Sequence, residues 1–211
     1  VVSQARRRRL AFAAGGASAR FLATAAQQST REVVLDGLIA SADLSETTLS
    51  SWSTLLGMLR ENCEYPDELS VSSTTKALAF LERILATYHN NSYVVSDADA
   101  QAVVEIVGRL FESRRQTAAA DSSFDKPAFV TSLKAALAAL SKRFVATRTA
   151  DSSPFVVDST TIAAAIYRGY AQTLAGRSLP LGTFASVAFP NVFAPAEVGA
   201  VDGDVITVVA F

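Results

Sequence analysis

Cysteine and histidine each occur once in the 211 residues, as Cys63 and His89. One cysteine closes no disulfide within the chain, so no disulfide framework is available to hold the fold. One histidine with no second His or Cys at ligand spacing excludes the usual zinc sets and a nucleophile–histidine pair. Charge is sparse as well, at 18% of residues against the usual quarter for soluble domains. Nineteen basic and twenty acidic residues leave a net charge of −1. That balance offers no concentrated positive surface for nucleic acid. Nor does any apolar run approach the about 20 residues that a membrane-crossing helix needs.

What is present is apolar. Half the residues are hydrophobic, enough to bury a core, and Ala, Ser and Thr take the place of charge on the surface. Such a surface suits a part of an assembly or of a larger protein. The length fits one generous domain or two small ones.

The first 31 residues contain no acid, while Arg6, Arg7, Arg8, Arg9, Arg20 and Arg31 all fall there. Three readings of the Arg6 to Arg9 cluster stand together: a solvated arm, a processing site for a basic-residue protease, and part of an organelle transit peptide. A chain opening on Val1 reads as an internal or processed segment. Gly15-Gly16 is followed by no phosphate-binding pattern.

Helical spacing dominates up to about residue 150. Residues 21–41 place Leu22, Ala25, Ala26, Val33, Val34, Leu38 and Ile39 at helical steps. A second helix after Ser45 carries Leu49, Trp52, Leu55, Leu56 and Leu59, and breaks at Tyr65-Pro66-Asp67. A third runs over 72–89 with Leu78, Leu81, Ile84, Leu85 and Tyr88, and stops at Asn90-Asn91-Ser92. Ser96 and Asp99 announce a fourth, with Val103, Ile106, Val107, Leu110 and Phe111. A polar loop over 113–123 leads to Asp125-Lys126-Pro127, the start of a fifth with Phe129, Leu133, Leu137, Leu140 and Phe144.

Beyond a Ser/Pro-containing linker at 147–154 the residues favour short strands: 155–157, 161–167, 185–189 and 205–211. Pro180, Pro190 and Pro195 punctuate them, and Asp202-Gly203 is a tight-turn signal. Strands grouped after helices predict an α+β class: a bundle of amphipathic helices followed by a short-stranded, partial β-sandwich. The expected organisation is a basic arm or processed segment at 1–20, a helical subdomain at 21–150 and a β-rich subdomain, truncated, at 151–211.

No residue set suggests catalysis, a metal or a cofactor. His89 at a helix end favours the helix dipole, Asp97 and Asp99 suit capping, and Asp202 and Asp204 suit a turn. Cys63 reads either as a buried small hydrophobe or as half of a disulfide to a segment outside this chain. The one positive signal is Asn90-Asn91-Ser92, an N-glycosylation acceptor with Asn90 as the modified residue, expected in a surface loop between two helices.

The order of elements, and in the strand half Phe155 to Ser159, Ile162 to Arg168, Leu174-Ala175-Gly176, Ala185 to Pro190 and Val205 to Phe211, resembles the GAIN domain of polycystin-1-like proteins and adhesion receptors. In that family a helical subdomain precedes a β-sandwich. The family's self-cleavage motif lies past the last of these strands and its usual cysteines are missing here, so no catalytic residue is carried over. The resemblance implies a non-enzymatic extracellular module of a membrane-anchored protein, working in adhesion or force transmission through other protein chains or neighbouring domains. Its polycystin-like branch implies a ciliary or channel-associated setting. The alternative is an intracellular or organellar helical scaffold that binds partner proteins through its apolar stripes.

Overall fold

The computed structural model describes residues 25–44, 48–117, 126–158, 161–170, 176, 178–181, 185–188 and 205–210. Five α-helices come first among them: α1 (Ala25–Leu44), α2 (Leu49–Asn62), α3 (Val71–Asn90), α4 (Asp97–Thr117) and α5 (Lys126–Ala146). A 3-10 turn at Pro66–Glu68 joins α2 to α3. Five strands follow: β1 (Phe155–Asp158), β2 (Ala163–Tyr170), β3 (Ser178–Leu181), β4 (Ala185–Ala188) and β5 (Val205–Ala210). The class is α+β.

Side-chain caps start three of the helices. Thr48 Oγ1 accepts the amide of Ser51 at 3.2 Å, Ser70 Oγ that of Ser73 at 3.0 Å and Ser96 Oγ that of Asp99 at 3.1 Å. Each satisfies an amide that has no partner within its own helix. The expected stripes are buried: Trp52, Leu55, Leu56 and Leu59 on α2; Leu78, Leu81, Ile84, Leu85 and Tyr88 on α3; Leu133, Leu137, Leu140 and Phe144 on α5. Helix α4 is buried further round, with Ala100, Ala102 and Val104 joining Val103, Ile106, Val107 and Leu110. It packs against α2, α3, α5 and the 3-10 turn, which makes it the centre of the bundle.

Three sequence-based expectations are corrected. Val33 and Val34 face outward, 68% and 48% exposed, and Leu49 is exposed in the first turn of α2. The inward face of α1 is Leu35, Leu38 and Ala42, whose steps of three and four define one side, while Val33 falls opposite it and Val34 at its flank. Where a loop was expected from Ser113, helix α4 runs on to Thr117. Ser113 is buried against Thr74 (Oγ to Oγ1, 3.2 Å), and the Arg114 guanidinium lies 5.6 Å from the Phe129 ring centre, so tertiary contacts extend the helix. Pro180, taken as punctuation, sits inside β3 opposite Ser186. A two-stranded antiparallel ladder uses only alternate amides, which accommodates a residue lacking one.

The strands form two antiparallel ladders. β2 lies between β1 and β5, in register Phe155↔Ile166 on one side and Ile166↔Val209 on the other, while β3 pairs with β4. The described strands do not show the sandwich that the sequence suggested.

The change from helix to strand falls between Ala146 and Phe155, and the core runs through it: Val157, Ala164 and Ile166 join the helical cluster. The expected linker is instead fastened down. The Arg148 guanidinium lies over the Phe144 ring at 4.3 Å and near Phe155 at 5.5 Å, and it pairs with Asp97 of α4. Arg168 of β2 donates to the Arg148 carbonyl, and the Asp151 amide donates to the Arg168 carbonyl at 2.8 Å. Asp151 takes the left-handed conformation (φ 60°), which short polar side chains tolerate. Its carboxylate accepts from the Tyr167 hydroxyl at 2.9 Å.

Gly169 makes this clasp geometrically feasible. A Cβ there would stand 2.3 Å from Tyr167 Cε1 and 2.7 Å from Asp151 Oδ1, closer than atoms pack. Gly169→Ala should therefore cost about 1–3 kcal/mol, as overpacking does. Gly37→Ala, where an added Cβ meets nothing within 4 Å, should stabilise by about 0.5–1 kcal/mol through helix propensity. Paired urea unfolding curves check both signs.

Candidate functional site: the α3–α4 corner

The last turn of α3 ends in a fully formed Schellman motif. The Ser92 amide donates to the His89 carbonyl at 3.2 Å and the Tyr93 amide to the Tyr88 carbonyl at 3.0 Å. These are the paired bonds that satisfy the free carbonyls of a helix end. The apolar contact that accompanies the motif is present too, with the rings of Tyr88 and Tyr93 edge-to-face at 6.0 Å and 88°. Asn91 fixes the turn twice, its backbone amide and its Nδ2 donating to the Thr87 carbonyl at 3.1 and 3.0 Å. From α5, Arg143 Nε donates to the Tyr93 carbonyl at 2.8 Å.

The sequon occupies the tip of this corner. Asn90 is the last residue of α3 and not a loop residue, Asn91 is the cap, and Ser92 occupies the left-handed position (φ 55°). All three are exposed. The Asn90 carboxamide has no hydrogen-bond partner among the described residues. Ser92 is the unexpected choice. Glycine fills that position most often because a Cβ in the left-handed region costs about 1–2 kcal/mol. Folding alone favours Gly; the sequon needs the hydroxyl.

Beneath the tip lies a polar contact that sequence reasoning missed. Asp99, expected only to cap α4, is buried and accepts from Ser53 Oγ at 2.6 Å and from the Tyr88 hydroxyl at 3.3 Å. One carboxylate thereby joins α2, α3 and α4. Burial, and next the Asp99 charge, push the Tyr88 hydroxyl well above its ordinary pKa. Its signal, a Ser one residue after a buried Trp and a Tyr at a stripe position, acquires meaning only once the helices are packed. Asp97, the other expected capping acid, is exposed and pairs with Arg148.

The other residues singled out in the sequence lie apart from this corner or at its edge. His89 is exposed in the last turn of α3, where a cation suits the helix dipole. Cys63 caps the end of α2 and is completely enclosed in the core, its thiol pushed up to about 12 chiefly by burial. Arg6 to Arg9, Gly15-Gly16, Asp125, Asp202 and Asp204 lie outside the described residues. Among the described residues no group of three or more His, Cys, Asp or Glu could hold a metal ion, and no helix is long and apolar enough to cross a membrane. Models of known protein families and curated proteins give no match to the chain.

Ser92→Gly should raise stability by about 0.5–1 kcal/mol, the relieved left-handed strain less the added freedom of the unfolded chain. Thermal unfolding of the unmodified protein measures it. For Cys63 the folded state holds its proton more tightly than the unfolded one, whose thiol titrates near 9.0. Its contribution is therefore full below pH 9 and is lost as pH rises toward 12. Cys63→Ala should flatten the fall of stability above pH 9, read as the difference between the two proteins' unfolding midpoints across that range.

Proposed function

We propose that this chain is a non-catalytic structural or interaction module of a secreted or cell-surface protein, of the polycystin-1-like and adhesion-receptor kind, glycosylated at Asn90. The observation that carries the proposal is Ser92. A strained, exposed non-glycine residue at a helix C-terminus is a departure from what folding favours, and such departures collect at positions kept for another purpose. Here the hydroxyl completes the acceptor triplet of Asn90.

A module of this kind needs a firm core and surfaces for neighbours. The titratable groups of the corner serve the packing: Asp99 ties three helices, Asp97 holds Arg148, and Arg143 anchors the turn. Contact with other chains or neighbouring domains falls to the outer face of α1, where Val33 and Val34 stand exposed. The helix-to-strand clasp of Arg148, Asp151 and Tyr167 suits transmission of force, since pulling the sheet from the bundle must break these contacts together.

The second reading, an intracellular or organellar scaffold, draws support from Cys63, whose single enclosed thiol suits a reducing compartment. Peptide-resolved mass of the natural protein before and after glycosidase treatment separates the two. A sugar mass on the peptide containing Asn90 is the expected result. Fully unmodified Asn90 would move the assignment to the scaffold.

A further inference from the structure

Resting on the reading of Asn90 as a glycan acceptor, we infer that the α3–α4 corner gates its own modification: Asn90 is a substrate only before the corner closes. Transfer forms a bond from Asn90 Nδ2 to the anomeric carbon of a lipid-linked oligosaccharyl diphosphate. The anomeric carbon–oxygen bond breaks, the diphosphate leaves with the electron pair, and one amide proton passes to a base of the transferring enzyme. An amide nitrogen is a weak nucleophile because its lone pair is delocalised into the carbonyl. The enzyme must therefore grip and reorient the carboxamide while also engaging the Ser92 hydroxyl two residues on.

The closed corner opposes both demands. Asn90 ends the helix, Asn91 caps it and Ser92 turns left-handed, whereas an extended path is what sets side chains two apart on one face. Bringing Asn90 and Ser92 to one side requires opening the turn. That means releasing both Asn91 bonds to the Thr87 carbonyl, the Ser92 and Tyr93 amide bonds, the Tyr88–Tyr93 ring contact and the Arg143 anchor. Exposure of the carboxamide is thus not access. The left-handed Ser92 keeps the closed corner less stable than glycine would, which eases opening while the chain is still folding.

The test uses a single-subunit oligosaccharyltransferase with its lipid-linked donor and five acceptors: a peptide of residues 86–96 and its Tyr93→Ala form, the folded chain, and folded Arg143→Gln and Tyr93→Ala chains. Arg143→Gln leaves the peptide sequence untouched and removes the anchor from outside it; Tyr93→Ala, compared with its own peptide, removes the ring contact. The folded chain should be modified at least about tenfold more slowly than the peptide, reflecting a closed local equilibrium. Both variants should move toward their peptides' rates while their circular dichroism stays helical. Equal rates for the folded chain and the peptide overturn the gate, as do variants that stay folded and gain nothing. A peptide that is itself not modified overturns the assignment of Asn90 as an acceptor, and the gate with it. Bare Asn90 in the natural protein, bare also when the Arg143→Gln chain is made in the same cells, overturns the secretory placement alone.

Discussion

Burial of helix α4 is the constraint from which the other features follow. Val103, Val104, Ile106, Val107 and Leu110 are each almost fully removed from water. At about 1.5–3 kcal/mol for each fully buried aliphatic side chain, this one helix supplies a large part of the driving force for folding. A helix buried on so much of its circumference must find its neighbours on several sides, and α2, α3 and α5 take those places. With α4 fixed, the first-turn acids follow: Asp99 is carried inward to meet Ser53 and Tyr88, and Asp97 is left outside to meet Arg148. The capping serine that starts α4 therefore also sets the position of the carboxylate that ties the bundle.

The same geometry shapes both ends of the connection to the sheet. Arg148 reaches back to α4 through Asp97 and forward to Phe155 of β1 through its flat guanidinium face, with Phe144 of α5 beneath it. Cation–ring contacts of this kind are worth about 0.5–2 kcal/mol each, more where water is excluded. Tyr167 then closes over Gly169 to reach Asp151. Strands β1 and β2 are thereby held to the bundle by polar contacts on a continuous apolar base.

On the proposed reading of Asn90 as a glycan acceptor, stability and chemistry pull in different directions at the α3–α4 corner. The turn has the complete hydrogen-bond set of a helix C-terminus and the matching apolar contact, yet the residue at its left-handed position carries a side chain that the turn does not need. The Asn90-Asn91-Ser92 triplet, wrapped onto a helix end, is exposed and locked at once. The two properties have different causes: exposure comes from the position at the tip, locking from the backbone bonds and the Arg143 anchor.

Periodicity alone determined the helices and most of the inward stripes of α2, α3 and α5, Leu49 and the half-buried Phe129 excepted, because apolar spacing at three and four residues is a local property written along the chain. It also determined the Ser96 start and the stop at Asn90 to Ser92, since capping and turn chemistry act over a few residues. The sequon was legible for the same reason. Tertiary structure alone decided which side of α1 faces the core, since Val33, Val34, Leu35 and Leu38 offer two overlapping stripes and only a packed neighbour chooses between them. It decided that α4 runs on through Ser113 and Arg114, that residues 147–154 are a clasp where composition suggested a linker, and that Asp99 is a buried tie where its position suggested a cap. It alone brought the Arg143 anchor onto the α3–α4 turn. Each of these depends on groups distant in sequence, 46 residues apart for Ser53 and Asp99 and 50 for Arg143 and Tyr93, whose meeting no local pattern encodes.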